Sequence, residues 1–66
     1  MNLTVNGNNT SFQDIKTVTD LLIFLKLEPE TVVVELNTLI IQPESYAVTT
    51  LHDGDQVEII RFVGGG

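Results

Sequence analysis

The stretch Asp53-Gly54-Asp55-Gln56-Val57-Glu58-Ile59-Ile60-Arg61-Phe62-Val63-Gly64-Gly65-Gly66 sets a turn, a strand and a glycine run in direct succession. Asp53-Gly54-Asp55 supplies tight-turn chemistry. Val57 to Phe62 then predicts a strand with Val57 and Ile59 facing inward and Glu58 and Ile60 outward. The glycines behind it carry no side chains, so their backbone passes a channel that any Cβ would block, and it presents one reactive group, the α-carboxylate. Loose glycines hold a fold poorly, because Gly loses the most conformational freedom on ordering. The expectation is a folded domain over residues 1–62 and a flexible tail over 63–66 that delivers its own C-terminus. Four extended residues reach about 13–14 Å.

Upstream, the chain supplies a sheet and one helix. From Asn2 to Asn6 polar and apolar residues alternate, with Leu3 and Val5 on one face. Gly7-Asn8-Asn9 tolerates positive φ and turns the chain into a second strand, about Thr10 to Asp14, with Phe12 its main apolar residue. Thr17 with Asp20 forms a capping-box-like pair, Asp replacing the usual Glu. Behind it Val18, Leu21, Leu22 and Leu25 recur at i, i+3, i+4 and i+7, one apolar stripe for covering a sheet. Pro29 is expected to stop this helix. Thr31 to Leu36 is rich in β-branched residues and reads as a strand, turning at Asn37-Thr38 into a short strand, Leu39 to Ile41. Pro43-Glu44-Ser45 suits a helical or 3₁₀ turn. The order β-β-α-β-β-β gives an α+β fold, a mixed sheet of four to five strands packed on one main helix.

One helix covers one face of such a sheet, so the other faces solvent. With Val32 and Val34 inward, Val33 and Glu35 point out. Val33, Ile60 and Phe62, with Val63 at the start of the tail, then form an apolar patch beside the glycines, a candidate partner-contact surface.

Sixty-six residues make one small domain with little room for an active-site cleft. Without cysteine there is no disulfide, no thiolate metal site and no thiol nucleophile. Nine acidic residues against three basic ones give a net charge of −6, which argues against nucleic acid and anionic membranes and for partners with a basic or apolar face. No apolar run is long enough to span a bilayer, and no secretory leader is evident, so the expected location is the cytoplasm. The triplets Asn2-Leu3-Thr4, Asn8-Asn9-Thr10 and Asn9-Thr10-Ser11 match the glycosylation pattern and carry no weight without secretion.

No residue set reads as catalytic or metal-binding. His52 is the sole histidine and reads as a loop residue. Asp53, Asp55 and Glu58 lack the further oxygen ligands of a calcium loop, and turn chemistry explains them. Glu28, Glu30 and Glu35 read as a solvated acidic surface, with no desolvated pocket to separate their pKa values. Gly64-Gly65-Gly66 is followed by no helix that could receive an anion, so it is not a phosphate loop.

Asn2-Leu3-Thr4-Val5-Asn6-Gly7, Thr17-Val18-Thr19-Asp20-Leu21-Leu22, Asp53-Gly54-Asp55-Gln56-Val57-Glu58-Ile59-Ile60 and Val63-Gly64-Gly65-Gly66 together resemble the ThiS family, the sulfur carrier proteins of thiamine biosynthesis, over the whole chain. The resemblance implies a β-grasp, ubiquitin-like fold with first and last strands parallel at the sheet centre. It implies a protein co-substrate rather than an enzyme, with no bound cofactor and ATP used by a partner. A ThiF-type enzyme would adenylate the Gly66 carboxylate, and a sulfur donor such as a cysteine desulfurase relay would convert it to a thiocarboxylate. A thiazole synthase of the ThiG type would then accept the sulfur. Gly66 would carry the sulfur, and Gly65 and Gly64 would thread the tail. The third glycine departs from the simplest family pattern, altering reach but not chemistry, and Arg61 is either a partner contact or a solvated strand residue.

Rival readings share parts of this chemistry. A MoaD-like carrier for molybdopterin synthesis uses the same fold and tail, though such proteins tend to be longer. A ubiquitin-like modifier would join lysine through Gly66. A non-covalent binding module would not need Gly65 and Gly66 at all.

Overall fold

Hairpin chemistry sets the start of the chain. In a computed structural model, which describes residues 1–62, strand β1 (Asn2–Val5) turns through Asn6 and Gly7 into β2 (Asn8–Ser11). Both turn residues have positive φ, 49° and 83°, and Val5 pairs with Asn8, so this is a two-residue loop whose twist matches the strands. The second strand therefore starts at Asn8 and ends at Ser11, earlier than the expected Thr10 to Asp14, because the turn closes on Asn6-Gly7 rather than Gly7-Asn8-Asn9. Phe12 lies just past β2 and is buried.

Helix α1 (Val18–Phe24) is opened by a true capping box. The Asp20 backbone N–H donates to Thr17 Oγ1 at 3.2 Å, and Asp20 Oδ2 accepts from the backbone N–H groups of Thr17 at 3.0 Å and Lys16 at 2.8 Å. Those two backbone donors, Lys16 first, hold the Asp20 carboxyl below its ordinary value of 3.8. A carboxyl depressed by folding stabilises the native state above its unfolded pKa, and the contribution disappears as pH falls through the lower folded value. Urea unfolding of Asp20→Asn is accordingly expected to show a deficit against the parent at pH 7 that shrinks near pH 3. A deficit independent of pH would mean the cap works without its charge.

The helix ends before Pro29 is reached. Lys26 takes a left-handed conformation, φ 61°, its N–H donates to the Ile23 carbonyl at 3.0 Å, and the Leu27 N–H donates to the Leu22 carbonyl at 2.9 Å. This is a Schellman stop, with Leu27 packed back against the core. Pro29 instead opens a 3₁₀ turn, Pro29–Thr31.

Strand β3 (Val32–Leu36) pairs antiparallel with β4 (Leu39–Ile41) across Asn37-Thr38. A longer 3₁₀ helix, Pro43–Val48, leads towards the Asp53-Gly54-Asp55 turn and β5 (Gln56–Arg61), one residue earlier than the expected Val57 to Phe62. The five strands lie in the order β2-β1-β5-β3-β4, with β1 and β5 parallel and the other pairs antiparallel. First and last strands are thus neighbours inside the sheet, as a β-grasp fold requires.

The core lies between the sheet and α1. It contains Leu3, Val18, Leu21, Leu22, Val32, Val34, Val57 and Ile59, all placed inward by periodicity, with Val5 and Leu25 half-buried against them. Ile15, Tyr46 and Leu51 complete it from the connections. Leu51 is placed by backbone pairing, its N–H donating to the Lys16 carbonyl at 2.8 Å.

One turn is strained. Thr38 has φ 77°, a region that β-branched residues rarely occupy, and it is exposed. Thr38→Gly gives the favoured Asn-Gly turn and is expected to raise stability by about 1 kcal/mol. A lower urea midpoint in this variant would show that the threonine side chain makes a compensating contact.

Candidate functional site

The outer sheet face is organised by β3 and β5. Val33 pairs with Ile60 and Glu35 with Glu58, while Ile40 of β4 pairs with Glu35, and alternation turns all five away from the helix. Ile60 is 52% exposed, Phe62 56% and Ile40 61%, whereas Val33 is only half-buried. Phe62 is held at the end of the sheet by its N–H, which donates to the Thr31 carbonyl at 2.8 Å. Val33, Ile40, Pro43 and Phe62 line a shallow cleft of about 250 Å³.

Ile60 and Phe62 are exposed on this face, with Val33 the least accessible of the three and Ile60 beside the cleft rather than in it. Ile40 is the member the sequence reading missed. Its signal was available: β3 turns back after two residues, and counting from that turn sets Ile40 opposite outward-facing Glu35. Glu35 and Glu58, directly opposite each other, add a like-charge pair that disfavours the free sheet and gives the patch an acidic border. The surface suits a partner whose own face is apolar with basic groups around it.

Arg61 lies elsewhere. It shares the inward parity of Val57 and Ile59 and lines a groove on the helix side. Val63, Gly64, Gly65 and Gly66, read as the contact and delivery tail, lie outside the described residues.

The turn carboxylates hold structure. Asp53 Oδ1 accepts from the Asn2 N–H at 2.7 Å, and Asp55 Oδ2 accepts from the His52 N–H at 2.8 Å, while Asp55 Oδ1 accepts from Asn37 Nδ2 at 3.0 Å. The exposed His52 ring sits 4.0 Å from Asp55. Among the described residues no three His, Asp or Glu side chains converge on a metal site, and no helix is long and apolar enough to cross a membrane.

The model of the ThiS family matches residues 3–66, which takes in the outer face, the turn and the glycine run together. The chain belongs to the ThiS family. It is 43% identical over 65 residues to the sulfur carrier protein ThiS of Bacillus subtilis, covering 97% of this chain and 98% of that one. It is 41% identical over 66 residues to a thiazole synthase of Paramagnetospirillum magneticum, where it spans only 20% of the longer protein. A crystal structure of a thiamine biosynthesis protein, ThiS, from Geobacter metallireducens superposes with a TM-score of 0.83 at 45% identity over the whole of both chains. The ThiS likeness confirms the β-grasp fold and extends through the last strand into residues 63–66.

Proposed function

We propose that this chain is a sulfur carrier for thiazole formation in thiamine biosynthesis, with the sulfur held as a thiocarboxylate on Gly66. The observation that carries the proposal is near full-length similarity to the Bacillus subtilis sulfur carrier protein within a family match that includes the glycine run. The chain contributes a carboxylate and a docking surface, and its partners contribute the catalysis.

A carboxylate is a poor acyl donor, because substitution would have to expel oxide. Attack of a Gly66 carboxylate oxygen on the α-phosphorus of ATP expels pyrophosphate and gives an acyl adenylate. A sulfur nucleophile from the donor then attacks the acyl carbon and expels AMP, the better leaving group. When that nucleophile is inorganic sulfide the thiocarboxylate forms directly; when it is a persulfide of the donor the product is an acyl disulfide, and a further thiol attacks the donor's sulfur, forms a disulfide with it and frees the thiocarboxylate, a soft nucleophile for the acceptor. The adenylating partner is of the ThiF type, the donor a cysteine desulfurase relay or its equivalent, and the acceptor a thiazole synthase.

The thiazole synthase of Paramagnetospirillum magneticum supports the last assignment, since a fifth of its length is similar to this chain. Carrier and acceptor sequences in one polypeptide are what a direct handover favours, because tethering raises their effective concentration. The patch of Val33, Ile40, Ile60 and Phe62 is the docking face, with Val63 continuing it and Gly64 and Gly65 serving as the thread.

Intact-mass analysis after incubation with ATP, a ThiF-type enzyme and sulfide tests the proposal. A sulfur-for-oxygen mass increment located at Gly66 is expected. An unmodified Gly66 alongside isopeptide adducts on lysine would turn the assignment to a protein modifier.

A further inference from the structure

The helix-side face of the sheet leaves a groove of about 510 Å³ between the C-terminal end of α1 and the β1–β2 hairpin. Its floor is apolar, built from Val5, Phe12, Leu25, Leu27 and Ile59. Phe24 forms one wall, 60% exposed yet fixed edge-on against Phe12 with ring centroids 5.3 Å apart at 86°. An aromatic ring held in place and left half uncovered is ready-made contact area at little entropic cost.

Charge separates this groove from the rest of the surface. The chain carries nine acidic residues, yet none lines the groove, and one of its three cations, Arg61, does. The polar remainder of the wall is Asn6, Asn8 and Thr10. Asn6 is already committed, its Oδ1 accepting from the Ile59 N–H at 2.7 Å and its Nδ2 donating to the Ile59 carbonyl at 3.2 Å. Arg61 is thus the group that gives the groove a sign. A guanidinium at the rim of apolar surface favours a carboxylate, which it binds through paired N–H donors. The net charge of −6 repels anions at longer range, so an occupant must bury apolar surface here as well as bring its charge.

We infer that this groove docks a segment of a partner protein that lays an aromatic or leucine side chain on the Phe24–Leu27 wall and sets an aspartate or glutamate against Arg61. The groove and the Val33–Ile60 patch lie on opposite faces of the sheet, so two proteins hold the domain at once without competing. The inference goes beyond the carrier assignment and does not rest on it.

Selection of short random peptides displayed on phage against the full chain, with binding mapped by amide chemical shifts, tests it. Enriched peptides are expected to pair a leucine or aromatic residue with an acidic one, and to shift the amides of Phe24 to Leu27 and Asn8 to Thr10 but not those of Leu39 to Ile41 at the far edge of the sheet. Arg61→Gln and Phe24→Ser are each expected to weaken binding about tenfold or more, and Val48→Asp, at an exposed position outside both surfaces, to leave it unchanged. Failure of any peptide to enrich, enrichment without acidic residues, shifts confined to the Val33–Ile60 face, or full affinity in Arg61→Gln overturns the inference. So does a concentration-dependent dimer abolished by Phe24→Ser, which gives the groove to a second copy. Sulfur loading at Gly66, read by mass in the same variants, keeps the fate of the carrier assignment separate.

Discussion

Gly65→Val is expected to reduce thiocarboxylate formation at Gly66 by about 100-fold or more, while the unfolding free energy stays within about 0.5 kcal/mol of the parent. Every buried apolar side chain among the described residues lies at or before Ile59, so a change at 65 removes no core contact known from the fold. Its effect falls on delivery. Valine adds a Cβ with two branches where the proposed thread must pass a partner's channel, and it confines φ and ψ where glycine accepts nearly any pair. The α-carboxylate is chemically unaltered, so lost loading reports geometry alone. Gly65→Ala, with one added carbon, is expected to fall between the two. The measurement is the rate of mass gain with ATP, ThiF-type enzyme and sulfide, alongside urea unfolding of the same samples. A folded Gly65→Val that loads at the parent rate removes the narrow-channel idea and leaves Gly66 as a carboxylate needing no special approach.

Regular elements were legible because their periodicity is local. Val57 and Ile59, or Val18, Leu21 and Leu22, announce an inward face by spacing alone, and every one of these is buried. Phe12 lies one residue past the end of β2 rather than within it, since the two-residue turn at Asn6-Gly7 shifts the strand towards the N-terminus. Ile15, Tyr46 and Leu51 sit in a loop, a 3₁₀ helix and an extended connection, where neither a period of 2 nor of 3.6 applies. Their burial is set by what lies across from them. The Tyr46 ring reaches the inner face of β3, with its hydroxyl 3.5 Å from the Val32 carbonyl, and burial pushes its pKa up. The helix end depends on tertiary packing in the same way. Pro29 is a visible breaker, but Lys26 adopts the left-handed stop three residues earlier because Leu27 gains core contact by folding back. For the site, the outward parity of Val33 and Ile60 was legible, whereas the groove at Arg61 was not. It exists only once the hairpin and the end of α1 face each other.

Ile60→Asp is expected to raise the KM of the adenylating partner for this chain about 30-fold, equivalent to the loss of roughly 2 kcal/mol of binding, with kcat at saturation unchanged. Ile60 is half exposed and points away from the core, so the variant should fold, losing only its cross-strand contact with Val33, worth about 0.2–1 kcal/mol. In the complex the cost is larger. An interface that buries Val33, Ile40 and Phe62 would also strip water from the new carboxylate, which has no cation beside it on the outer face, since its neighbour Arg61 points to the helix side. Glu58 lies two residues away on the same face and Glu35 sits opposite Glu58, so the substitution places a third negative charge where two already repel. Ile23→Asp is the matched control, since Ile23 is 69% exposed on the helix, away from the outer sheet face, and it should leave KM within about twofold. Pyrophosphate exchange measured against carrier concentration separates KM from kcat. An unchanged KM for Ile60→Asp, or an equal rise for both variants, would place docking away from this patch. A fall in kcat alone would mean that the face acts after binding, by aligning the chain end rather than by holding the domain.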